Sequence, residues 1–308
     1  MYNVIKELED KNWFENSNRI STDIKKELQG NNTESLIKQY RLHYEPKRIA
    51  KIDELKRKII MESSVENLDE KINEFTSKIK EINENINKGI KFNLLEYIYK
   101  NRNKFNKSCP VSVQISEIMY EDNHLPPNII VRSHSIFNTI VVSSTSQSAK
   151  SNAGNAGELF VDVLLRVAGL KEGETYKSQH KSESGSDTDF VIPYVEDMKD
   201  QDVDIFIAVQ FSTNDRLRMT LSELKPGANH YVVIGNGLDA SSKDLKDVGE
   251  EILNSMEEKN VRLVCFNSKR IEFLKSLDKS NSDKYKYFKD YSIGFSDFAN
   301  KLRKQYCN

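Results

Sequence analysis

Two neighbouring stretches decide the reading of this chain: Ser184-Gly185-Ser186-Asp187-Thr188-Asp189-Phe190-Val191-Ile192-Pro193, and Val203-Asp204-Ile205-Phe206-Ile207-Ala208-Val209-Gln210-Phe211-Ser212. In the second, Ile205, Ile207, Val209 and Phe211 alternate with the period of a strand, so one face belongs to a core. The other face carries Asp204, Phe206, Ala208, Gln210 and Ser212. A strand that ends in the polar pair Gln210 and Ser212 asks for partners, because buried amides and hydroxyls are almost always hydrogen-bonded. In the first stretch a glycine-containing turn feeds an apolar strand, and an acid, Asp189, stands at the entry. Asp187 is the alternative acid, since strand starts are uncertain by about two to four residues.

The pattern continues on both sides. A small, polar segment at 143–157 reads as a loop capping a helix over 155–168, with Glu158 in its first turn and Gly169 closing it. Strands are expected at 175–180, 189–195, 203–212, 231–234 and 261–266. Helices are expected at 215–225, stopped by Pro226-Gly227, at 242–258, and after Ser268. The order is α-β-β-β-α-β, followed by α-β-α.

This order, with an Asp heading the second strand and a polar triplet ending the third, resembles the PD-(D/E)XK nuclease superfamily, and its type II restriction endonucleases above all. The resemblance covers about 155–234 and is mostly one of pattern. It implies a mixed sheet and an α/β class, with a helical N-terminal region before a restriction-endonuclease-like core. It also implies Mg2+-dependent, sequence-specific cleavage of double-stranded DNA, with a homodimer as the usual working form. In that family a metal-binding Asp is followed, one strand later, by an acid, any residue, and Lys. Asp189 matches the first position, and Ala208-Val209-Gln210 falls where the triplet belongs. Gln for Lys is a known variation in the family; Ala for the acid is a departure, because a methyl group cannot bind a metal.

Three readings of Ala208 are open. The acid has moved to the preceding helix, as Glu158; or the frame is shifted, with Gln210 and Ser212 in the acidic and Lys places; or the chain is inactivated, naturally or by a Glu-to-Ala change at 208. The metal ligands expected are Asp189 and Glu158, with Asp187 as the alternative to Asp189. The catalytic set is Asp189, Glu158, Gln210, position Ala208 and Ser212. Each has a plainer reading: Asp189 as a turn cap, Glu158 as an acid favouring a helix N-terminus, Ser212 as a cap for the helix after it.

The region before residue 106 reads as helical. Val65, Leu68, Ile72, Phe75, Ile79, Ile82 and Ile86 are spaced 3, 4, 3, 4, 3, 4, a heptad seam that packs against another helix. The helix before it carries Lys47, Arg48, Lys51, Lys56, Arg57 and Lys58, which are either a solvated face or a phosphate-contacting arm. The expected division is therefore a helical region at 1–106 for DNA contact or dimerisation, a connecting and recognition segment at 107–152 with a strand at 136–142, and a nuclease-like core at 153–308.

Composition bounds the alternatives. With 30% charged residues and no apolar run near the roughly 18 needed for a span, no membrane segment is expected. No secretory leader is expected at the N-terminus, and Cys109, Cys265 and Cys307 are too scattered for a disulfide framework or a zinc site, so a cytoplasmic location is expected. The net charge of −1 argues against non-specific coating of DNA, while leaving room for a cleft of basic groups balanced elsewhere. The five histidines show no metal-ligand spacing. Gly235-Asn236-Gly237-Leu238-Asp239-Ala240 matches a dinucleotide fingerprint but lacks the acid after the next strand, so a turn is expected there and no nucleotide cofactor. The remaining alternative is a nuclease-fold protein that binds DNA without cutting it.

Overall fold

The computed structural model of the protein describes residues 33–121, 134, 135, 137, 138, 141, 156–181, 187–197, 199–210, 229–234, 250–277 and 282–307. The helix expected at 215–225, the glycine turn at 235–240, the loop at 143–155 and Ser212 lie outside the described residues. The chain divides into two compact units, one of residues 1–53 with 79–152 and one of residues 54–78 with 153–308.

The first unit is helical. It holds α1 (Thr33–Leu42), the first part of α2 (Glu45–Glu62), the later part of α3 (Leu68–Lys100), α4 (Arg102–Phe105) and α5 (Pro110–Tyr120). Pro110 sits in the first turn of α5, where its missing N–H has no intrahelical acceptor to lose. The core gathers Ile37, Tyr40, Ile90, Leu94, Ile98 and Phe105 among others, with the Tyr40 and Tyr97 rings 4.7 Å apart. Phe137 and Val141 join this core and are helical, as are residues 134, 135 and 138. The strand expected at 136–142 is therefore corrected. Its β-branched run suggested period two, but the two side chains that reach the core are four apart, the spacing of one helix face.

The second unit is built on a six-stranded mixed sheet in the order β1-β2-β3-β4-β5-β6. The strands are β1 (Lys177–Lys181), β2 (Asp187–Ile192), β3 (Ile205–Gln210), β4 (Asn229–Ile234), β5 (Val261–Cys265) and β6 (Ser292–Gly294). β2 pairs antiparallel with both β1 and β3, and β3 to β6 run parallel. Parallel strands covered on both faces become nearly continuous apolar runs, which is what Tyr231-Val232-Val233-Ile234 supplies. β6 was not expected, being three residues without alternation; it is held in part by Arg270, whose Nε donates to Ser292 Oγ at 2.8 Å.

Helices cover both faces. On one lie α6, residues 156–167, and α10 (Phe295–Tyr306): Phe160 packs on Phe295 with centroids 5.8 Å apart, and Phe298 on Tyr231 at 4.5 Å. On the other, α7 (Glu250–Glu258), α8 (Asn267–Ser276) and α9 (Ser282–Tyr291) bury Met256, Phe273 and Phe288 against Val232, Ile234 and Leu263. Gly169 ends α6 at φ +97, a conformation that strains any residue with a Cβ.

The N-terminal helices are divided between the two units, residues up to 53 and from 79 onward falling in the first. Residues 54–78 belong with the sheet. Ile59, Val65, Leu68, Ile72 and Phe75 are buried, and Asp69 Oδ2 accepts the Asn267 N–H at the start of α8 at 3.2 Å. The heptad seam thus serves partly as core of the sheet-containing unit. Among the described residues, no helix is long and apolar enough to cross a membrane, and the three cysteines are free.

One buried carboxylate ties this unit together. Asp162 of α6 is paired with Lys56 of α2, accepts the Tyr176 hydroxyl just before β1, and accepts Arg166 Nε at 3.0 and 3.1 Å. Burial, together with the bond to the Asp162 carboxylate, pushes the Tyr176 phenol well above its ordinary range. Breaking a buried ion pair leaves an uncompensated charge and costs about 3–5 kcal/mol. Asp162→Ala should lower the unfolding free energy by about that amount in urea titrations, whereas Glu174→Ala, at an exposed pair with Lys171, should change it by less than about 1 kcal/mol.

Candidate active site

Four elements bring polar groups together at one place in the second unit. Glu158 stands in the first turn of α6, half-buried. From β1, Gln179 Nε2 donates to Glu158 Oε2 at 2.8 Å. From β2, Asp189 Oδ2 accepts the backbone N–H of Val209 in β3 at 2.7 Å.

The register explains why Asp189 is available there. Ser178 pairs with Phe190 and His180 with Thr188, and the pairing skips the position between them, where Gln179 would meet Asp189. On the other side the β2–β3 pairing ends at Phe190 and Ile207, one step short of Asp189 and Ala208. The regular ladder is therefore broken at Asp189 on the β1 side and ends one step before it on the β3 side, and the Asp189 carboxylate takes the Val209 N–H. The same register gives Asp189, Val191, Phe206, Ala208 and the backbone position of Gln210 one parity, so they share a face of the antiparallel part of the sheet.

Electrostatics join the two acids. Burial raises the Glu158 carboxyl above the ordinary range, the charge of Asp189 raises it further, and the Gln179 amide works against both. Two like charges confined together are what a divalent cation relieves. The donor set suits a hard ion: Mg2+ is commonly held by one or two carboxylates together with substrate oxygens. No group of three or more His, Cys, Asp or Glu side chains suited to a metal occurs among the described residues.

The remaining expected residues fall as follows. Ala208 is half-buried, pairs with Val232 and packs against the apolar cluster under α7 to α9, offering no ligand. Gln210 is the last residue of β3, in register with Ile234, and Asp187 is the first of β2, in register with Lys181; their side chains lie outside the described residues. His180 is buried, with Nε2 3.1 Å from Asp200 Oδ1. Of the basic set, Arg48 Nε donates to Glu45 at 3.0 Å, Lys56 is committed to Asp162, and Lys58 lies 3.8 Å from Glu62. Lys47, Lys51 and Arg57 are exposed. Sequence reasoning missed Gln179, because nothing in Lys177-Ser178-Gln179-His180-Lys181 marks one residue of a polar strand as different from the rest.

The ladder is interrupted between the second and third strands of a mixed sheet, with a second acid on the preceding helix, and comparison with solved structures bears on the fold. The chain is similar to a structure described as metal-depleted Ecl18kI in complex with uncleaved, modified DNA, with a TM-score of 0.53 and 15% identity over 94% of this chain and 85% of that one. Ecl18kI is a type II restriction endonuclease of the PD-(D/E)XK fold. At this identity the likeness is one of fold. No family model matches the sequence, and no curated protein matches it.

Because the folded state holds the Glu158 proton more tightly than the unfolded chain does, ionisation of Glu158 costs stability as pH rises above the ordinary carboxylate range. Glu158→Gln keeps an oxygen for Gln179 and removes that charge. In metal-free buffer it should raise the melting temperature near pH 8 and change it far less near pH 3, where Glu158 is mostly protonated in both states. Equal shifts at the two pH values would detach Glu158 from Asp189.

Proposed function

We propose that the protein is a Mg2+-dependent endonuclease that cuts double-stranded DNA at a specific sequence, as type II restriction enzymes do, and that it works as a homodimer. The observation that carries this reading is the convergence of Glu158 and Asp189 where the ladder of a restriction-endonuclease-like sheet is interrupted. Two sites related by a two-fold axis suit a palindromic duplex, which is the reason for the dimer.

Asp189 and Glu158 would hold the cation through carboxylate oxygens, with Asp187 as the alternative to Asp189. Mg2+, when bound, neutralises charge on the scissile phosphate and makes a water more acidic. The Val209 N–H fixes one oxygen of Asp189, so the carboxylate presents a set direction to its ligand. Gln210 would orient the attacking water through its amide dipole, in the place where the family carries a Lys charge, and Ser212 is the next polar group along the chain. Ala208 takes no part in this reading, the acidic role having passed to Glu158.

The second reading, a nuclease fold that binds DNA without cutting, is favoured by Ala208 itself. Plasmid cleavage in Mg2+ separates the two. Purified protein should nick or cut, Asp189→Ala and Glu158→Gln should each slow cutting by at least about 100-fold, on the order of 3 kcal/mol in the barrier, and Ala208→Glu should bring no gain. Cutting that appears only with Ala208→Glu would identify position 208 as the missing acid and this chain as an inactivated one.

The basic helix is tested separately. Lys47 and Lys51, exposed on α2, would touch phosphates and not bases. Lys47→Ala with Lys51→Ala should weaken binding to all sequences alike, measured in Ca2+ to prevent turnover. The slope of log affinity against log salt should flatten by about 0.9 for each phosphate that is no longer neutralised. An unchanged slope would return these lysines to the solvated surface.

A further inference from the structure

We propose that Gln179 is a positioning residue for Glu158: its backbone leaves strand geometry so that its amide can hold the Glu158 carboxylate beside Asp189. This inference rests on the reading of Glu158 and Asp189 as metal ligands. Gln179 has φ of 51°, the left-handed region, although it is neither glycine nor asparagine and stands in the middle of a five-residue strand. That conformation is unfavourable for a residue with a Cβ and persists only where the surroundings impose it.

The surroundings do impose it. Ser178 keeps its ladder partner Phe190 and donates its hydroxyl to Glu172 at 2.5 Å; His180 keeps its partner Thr188 and is held by Asp200 at 3.1 Å. With both neighbours pinned, the departure is confined to Gln179, whose Nε2 ends 2.8 Å from Glu158 Oε2. The same departure removes the pairing position facing Asp189. One local distortion therefore serves both acids: it orients one and leaves the other outside the regular ladder. A residue kept only to turn the chain would have no need of an amide, and glycine or asparagine would fit the backbone better.

The test uses the full chain and Mn2+ as the probe, with free Mn2+ followed by its paramagnetic resonance signal and folding followed by thermal melting. Gln179→Asn retains an amide and suits the left-handed backbone but is one methylene too short to reach Glu158; Gln179→Gly relaxes the backbone fully. Both should melt at or above the wild-type temperature while binding Mn2+ about 10-fold or more weakly, the range for loss of a group that orients a ligand. In a Glu158→Gln background, Gln179→Asn should bring no further loss, because its effect passes through that carboxylate.

Wild-type Mn2+ affinity in Gln179→Asn and Gln179→Gly, with Glu158→Gln and Asp189→Asn both weakened, would overturn the role of Gln179 and leave the ligand reading standing. A loss of the same size with and without the Glu158 carboxylate would overturn it too, since Gln179 would then act on the sheet and not on Glu158. If Glu158→Gln and Asp189→Asn themselves bind Mn2+ as the wild type does, the ligand reading falls and takes this inference with it.

Discussion

The Asp162 carboxylate, buried one helical turn beyond Glu158, receives a lysine from α2, an arginine from its own helix and a tyrosine hydroxyl from the approach to β1. Few side chains can satisfy three donors from three segments, and a carboxylate does so because it offers about four lone-pair directions. The arrangement fixes the height and rotation of α6 on the sheet, and so the position of Glu158, four residues back on the same face. It also explains why one basic residue of α2 points inward. Lys56 balances a charge that would otherwise be too costly to bury. The candidate site thus depends on a group that takes no part in its chemistry.

A second constraint acts along the strands. Where a ladder is complete, every peptide group is spoken for and acidic side chains on it are exposed or capped. At Asp189 the carboxylate itself receives a backbone N–H from β3, so the side chain is part of the hydrogen-bonding of the sheet as well as of the site. This fixes the acid more firmly than a rotamer alone, and it does so at the point where the antiparallel half of the sheet gives way to the parallel half, with β3 belonging to both.

Much of the fold was legible in the sequence, because its signals are local. The alternation in β3, the apolar run of β4 and the helix stop at Gly169 each follow from a few consecutive residues. The pairing of Asp189 with Glu158 was expected only through resemblance to a family pattern, and in the structure the charge of Asp189 raises the Glu158 carboxyl. Three features were out of reach. β6 is too short to show a period. Phe137 and Val141 lie in a stretch of β-branched residues that speaks for a strand until a core four residues apart outweighs it. Gln179 depends on a backbone angle that no side-chain pattern encodes. The assignment of residues 54–78 to the sheet-containing unit was hidden for a different reason: a heptad seam shows that a helix has a partner, not which partner.

That assignment bears on how the protein is made. The sheet-containing unit is discontinuous in sequence, with the whole of residues 79–152 lying between its two pieces. On the ribosome the stripe of Ile59, Leu68, Ile72 and Phe75 emerges early, while the strands and helices of the second piece are still to be translated. The loop-closure entropy of the intervening residues grows only logarithmically, so the wait costs little at equilibrium. It matters in time: the apolar stripe stays uncovered until the C-terminal helices are synthesised, an interval in which newborn chains are open to association with one another or to capture by a chaperone.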